Sequence, residues 1–66
     1  MDIILYTTGC PRCHQLEKVL EEKGVAYTKE TSVDKMLDLG FLQVPILEVD
    51  GKRMDYQEAV EWAMDL

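Results

Sequence analysis

Several residue types are scarce in this chain. Cysteine and proline occur twice each, and histidine, tryptophan and phenylalanine once each. Two cysteines three positions apart make no disulfide framework. A bridge between Cys10 and Cys13 closes a tiny loop and hardly constrains the unfolded chain. The pair is therefore a poor staple for 66 residues, a size at which some staple is often found, and a chemical role is the better expectation. Positive charge is scarce too, with 7 Lys and Arg against 13 Asp and Glu, a net charge of −6. Such a surface repels nucleic-acid phosphates and anionic lipid, and no basic stripe overrides it. No apolar run approaches the roughly 20 residues of a membrane helix. The start, MDIILYTTG, has an acid at position 2 and lacks the basic segment and cleavage site of a signal peptide. The expectation is a cytoplasmic chain with mainly reduced thiols.

At 47% hydrophobic and 30% charged, the composition is that of a folded domain. No repeat, linker or low-complexity stretch divides it, so residues 1–66 are read as one domain. Ile3 to Tyr6 form an apolar run suited to a buried central strand. Pro11 suits the first position of a helix, where its missing N–H is no loss. From there to Lys23, Cys13, Leu16 and Leu20 recur on one face, and Gly24 reads as the stop. Val25 to Lys29 read as a second strand. Ser32 is a helix cap before Val33 to Leu39, with Val33, Met36 and Leu37 on one face and Phe41 and Leu42 packed beneath. Ile46 to Val49 and Lys52 to Met54 read as a hairpin around Asp50-Gly51. Asp55 and Glu58 match a capping box for a helix from Tyr56 to Ala63. The order is β-α-β-α-β-β-α, an α/β class. Its first unit is a parallel βαβ.

The segment CPRCH at 10–14 has three readings. As a haem-attachment motif it needs a pocket and, usually, a second ligand; His14 instead falls within an amphipathic helix pattern, as a solvated residue. As a zinc site it offers at most three ligands of the four required, unless two chains share the metal. As a dithiol it fits its neighbours. Cys10 falls at the helix start, where the partial positive charge and free N–H groups favour a thiolate, with Arg12 nearby. Cys13 falls one turn on, facing inward. Cys10 then suits a nucleophile and Cys13 a resolving thiol. A C-x-x-C beside a βαβ pattern in a cytosolic chain is a thioredoxin-like signal. Val44-Pro45, just before a strand, reads either as an ordinary strand entry or as a cis proline that leaves residue 44 open to pair with an extended substrate.

Tyr6-Thr7, Cys10-Pro11-Arg12-Cys13-His14, Gly24-Val25, Val44-Pro45 and Asp50-Gly51 occur in the order of the glutaredoxins, which the chain resembles over nearly its whole length. Leu39 to Pro45, LGFLQVP, is also similar to the NrdH-type redoxins, electron donors to ribonucleotide reductase. The resemblance implies a thioredoxin-like fold, a mixed four-stranded sheet flanked by three helices, with Val44-Pro45 as the cis-proline site. It implies a monomeric thiol–disulfide oxidoreductase of electron transport and cell redox homeostasis. Cys10 and Cys13 would be catalytic, and Tyr6, Pro11, Arg12, Val44, Pro45, Gln57 and Glu58 would contact substrate. No bound cofactor or metal is expected. Glutathione or a thioredoxin reductase would supply electrons, and disulfide-containing proteins would be the substrates. Three features differ from the glutaredoxin pattern. No lysine precedes Cys10, Arg12 stands where an aromatic is common, and no Gly-Gly precedes Gln57-Glu58. The NrdH-type Trp-Ser-Gly-Phe stretch is also missing, and Trp62 is expected to pack in the last helix. An iron–sulfur or metal-binding module using Cys10 is the remaining alternative. Pro11 counts against it, because cluster-binding glutaredoxins tend to lack that proline.

Overall fold

A computed structural model describes residues 2–66. The elements are β1 (Ile3–Tyr6), α1 (Pro11–Glu22), β2 (Thr28–Glu30), α2 (Val33–Asp38), β3 (Ile46–Val49), β4 (Lys52–Met54) and α3 (Tyr56–Met64). The four strands lie in the order β2-β1-β3-β4. β1 and β2 are parallel, and the other two pairings are antiparallel. This mixed sheet with three helices is a thioredoxin-like α/β fold.

Strand alternation sorts the core onto two faces. Ile3 and Leu5 of β1, with Leu47 and Val49 of β3, point to one face and join Leu16 and Leu20 of α1 and Ala59 and Ala63 of α3. Trp62 and Tyr27 pack against this cluster. Tyr6 and Ile46 point to the other face and meet Met36 of α2, with Phe41 and Val44 beside them. The central position of β1 explains its unbroken apolar run.

The ends of the elements follow local chemistry. Asp50 and Gly51 both have positive φ, 49° and 87°, as a tight hairpin turn requires. The Asp50 carboxylate also accepts the Asp2 N–H at 2.8 Å. In α3, the Glu58 N–H donates to Asp55 Oδ1 at 2.8 Å and the Asp55 N–H donates to Glu58 Oε1 at 3.4 Å, completing the capping box. Asp55→Ala is expected to cost about 1 kcal/mol. That would lower the melting temperature by about 4–8 °C in a domain of this size, and calorimetry of the two proteins checks it.

Three expectations are corrected. The second strand begins at Thr28, not Val25. Gly24 adopts φ 69°, and the Val25 N–H is spent on the Leu20 carbonyl at 2.9 Å in closing α1. The chain therefore reaches β1 three residues later. In α2 only Met36 is buried, while Val33 and Leu37 are exposed. A helix of six residues reaches the sheet through a single side chain. Phe41 packs, its ring 4.8 Å from that of Tyr6 in an edge contact, but Leu42 is 100% exposed.

Candidate functional site

The site is built where β1 stops. The Thr7 N–H still pairs with the Glu30 carbonyl at 3.0 Å, after which the chain turns. The Thr7 side chain is buried, and its hydroxyl accepts the Gly9 N–H at 3.2 Å. Cys10 follows as the N-cap of α1 in extended conformation, with Pro11 in the first turn. Its sulfur takes the place of the usual capping oxygen. Cys10 Sγ accepts the Cys13 N–H at 3.2 Å, one of the donors that a helix leaves unpaired at its start.

Cys13 lies one turn later and is fully buried on the face it shares with Leu16 and Leu20. Cys10 is half-buried, so Cys10 is the sulfur that meets solvent. The two Sγ atoms are 2.7 Å apart as free thiols sharing a hydrogen bond. Burial pushes the Cys13 thiol up from its ordinary 9.0. Hydrogen bonds from the Cys10 side chain, the Thr7 hydroxyl, and the backbone of Thr8 and Cys10 pull it down and win, so the net shift is downward.

A thiol with a folded-state value below its unfolded one stabilises the fold above the unfolded value, here 9.0. That contribution is lost as pH falls through the folded value. The reduced protein is thus expected to gain stability relative to Cys13→Ser as pH rises from neutral toward 9.0. Urea midpoints of both proteins in reductant measure this, and a difference that stays flat with pH contradicts the shift.

The Val44-Pro45 peptide is cis. Pro45 is fully buried and Val44 packs against the second cluster. Thr8 and Val44 line one groove and Arg12 and Gln43 another, so the segment before Pro45 runs beside the cysteine loop. Among the described residues, no hydrogen bond uses the Val44 N–H or carbonyl. The second groove, about 360 Å³, is completed by Asp55, Tyr56 and Gln57.

The remaining expected site residues separate. Gln57 shares the groove with Arg12, whereas the Glu58 side chain is engaged in the capping box. Tyr6 is a core residue. His14 is a helix surface residue, 69% exposed, with Nδ1 3.4 Å from Glu17 Oε2. The other Glu17 oxygen is 2.9 Å from Lys29 Nζ. Among the described residues, no three His, Cys, Asp or Glu side chains come together to hold a metal ion. No helix of the described residues is long and apolar enough to cross a membrane.

Two contributors escaped the sequence reading. Thr7 sits under the sulfurs. Its position at the strand end, two before Gly9, is the only signal of a hydroxyl turned inward. Tyr56 supports Arg12, whose guanidinium carbon lies 5.6 Å from the centre of its ring. Chemically, the pair can cycle between dithiol and disulfide with one sulfur exposed to a partner.

No protein-family model matches the chain. A protein named thioredoxin from Methanothermobacter thermautotrophicus (strain Delta H) is 36% identical over 58 residues, covering 79% of this chain and 75% of the relative. With the sheet order, the cysteine pair at the start of α1 and this relative in view, the chain belongs to the thioredoxin superfamily.

Proposed function

We propose that this chain is a small dithiol thiol–disulfide oxidoreductase of the glutaredoxin-like type, reducing protein disulfides or glutathione mixed disulfides. The observation that carries this reading is the asymmetry of the sulfurs: Cys10 capping α1 and open to solvent, Cys13 buried 2.7 Å behind it. The Cys10 thiolate attacks a substrate disulfide. One Cys10–substrate S–S bond forms, the substrate S–S bond breaks, and the departing sulfur takes a proton. The Cys13 thiolate then attacks Cys10 Sγ, forming the Cys10–Cys13 disulfide and releasing the second substrate thiol. The substrate gains two electrons and two protons, and the protein loses them. The hydrogen bonds from the Thr7 hydroxyl and from the backbone of Thr8 and Cys10, which remain once Cys10 Sγ is bonded to substrate, favour this second attack, since they hold negative charge on the Cys13 sulfur. The unpaired Val44 backbone supports a substrate strand laid alongside it, with Pro45 packing that segment and Pro11 starting the helix. Monomeric action in the cytoplasm, with no resident cofactor, completes the proposal.

A second reading concerns the electron donor. The polar contact that glutathione would need from Glu58 is diverted into the capping box. Met54 and Asp55 stand before the helix where the resemblance has Gly-Gly. These observations favour an NrdH-type protein reduced by a thioredoxin reductase. NADPH oxidation coupled to insulin reduction separates the donors. Turnover driven by thioredoxin reductase, but not by glutathione with glutathione reductase, is the expected result. The reverse preference assigns the glutathione system. Insulin left unreduced by either system and by dithiothreitol-reduced protein refutes the oxidoreductase reading.

A further inference from the structure

The sulfur that leaves a substrate disulfide needs a proton, and few groups around Cys10 can give one near neutral pH. Arg12 keeps its protons, the hydroxyls of Thr7 and Thr8 hold theirs, and Cys13 is buried behind Cys10. His14 is different. It is the chain's one histidine, and imidazole is the side chain suited to proton transfer in this pH range. The His14 N–H donates to the Cys10 carbonyl at 3.0 Å, so His14 stands one helical turn from the attacking residue. Its ring has a defined direction. Nδ1 lies 3.4 Å from one Glu17 oxygen, and Lys29 Nζ fixes the other at 2.9 Å. Nε2 is turned toward the cysteine loop, 4.0 Å from where a methyl group on the Gly9 α-carbon would lie. A carboxylate behind Nδ1 presents Nε2 as the working nitrogen. The ring borders a groove with Thr8, Gly9, Glu17, Lys29 and Val33. Thr8 and Val33 also line the groove that reaches Val44, so the two grooves are continuous.

We propose that His14, oriented by Glu17, gives its Nε2 proton to the sulfur that departs when Cys10 attacks. The Cys10–substrate S–S bond forms and the substrate S–S bond breaks, with its electron pair passing to the departing sulfur. That sulfur takes the proton, and the N–H electron pair stays on Nε2. His14 regains a proton from solvent before the next cycle, so the overall exchange of two electrons and two protons is unchanged. The exposure of the ring, 69%, leaves it open to substrate. The proposal rests on the oxidoreductase reading and adds a proton donor to it. It also names the disulfides that gain most. Alkyl thiolates, including cysteine thiolates of proteins, leave slowly because their thiols are weak acids, so a proton delivered on departure helps them. Thiolates of strongly acidic thiols leave without one.

The test measures how fast the reduced protein reacts with two neutral disulfides at about pH 6.5, where imidazoles in general are partly protonated. Hydroxyethyl disulfide releases an alkyl thiol that needs the proton. Dipyridyl disulfide releases a thiopyridone that does not need one on sulfur. In His14→Gln the rate constant for hydroxyethyl disulfide is expected to fall about ten-fold, while that for dipyridyl disulfide stays within about two-fold; an exposed donor works below the hundred-fold or more of the strongest general acids. Glu17→Gln keeps the histidine and loses its carboxylate, so the ratio of the two rate constants should fall by less. Circular dichroism checks that both variants are folded. Equal falls for the two disulfides in His14→Gln, or no fall for either, overturn the proton donor while the redox reading stands. A ratio unchanged in Glu17→Gln overturns the part assigned to Glu17. Wild-type protein that reacts with both disulfides no faster than dithiothreitol overturns the oxidoreductase reading itself.

Discussion

Cys10→Ser is expected to abolish disulfide reduction, by about a thousand-fold or more, because a serine hydroxyl is not ionised at neutral pH and does not attack sulfur. The fold should survive. Cys10 caps α1 through its sulfur, and a serine oxygen is among the preferred caps. Cys13→Ser should behave differently. It keeps the exposed attacking sulfur but removes the buried one that releases the substrate. Insulin turnover should fall while covalent Cys10–substrate adducts accumulate, visible by mass spectrometry under non-reducing conditions. Equal activity of the two single variants would mean that the roles are misassigned.

Leu5→Ala has the largest expected effect on stability. Leu5 is fully buried in the central strand, within the cluster under α1 and α3. Removing it costs its transfer energy and leaves a cavity, about 3 kcal/mol or more. Domains carry roughly 0.05–0.15 kcal/mol of stability per residue, so in a chain this short the loss is a large share of the total. The melting temperature should drop by roughly 15 °C or more. Leu42→Ala is the control. Leu42 is 100% exposed, and its truncation should change stability by less than about 0.5 kcal/mol. Thermal melts of the three proteins in reductant decide the matter.

The parts of this molecule legible in the sequence were those fixed by local chemistry. Pro11 and the Cys13, Leu16 and Leu20 spacing give α1 and its inward sulfur. Asp50-Gly51 gives the hairpin, and Asp55 with Glu58 gives the last cap. The parts that were not legible depend on distant partners. Val25 looks like a strand residue until α1 takes its N–H. Val33 and Leu37 have helical apolar spacing, yet the sheet behind α2 offers room for Met36 alone. At the site, the pattern located the two sulfurs and the residues before Pro45. It did not show that Thr7 turns inward, that Tyr56 carries Arg12, or that Glu58 is spent on the cap.

The central claim is that Cys10 attacks and Cys13 resolves. Its most direct measurement mixes reduced protein with equimolar hydroxyethyl disulfide, quenches by rapid alkylation, and maps the products by mass. The account predicts a transient adduct on Cys10, then loss of two hydrogens from the chain as its two free thiols join, with two small thiols released. A lasting adduct on Cys13, or release of both small thiols without an internal Cys10–Cys13 disulfide, would contradict it.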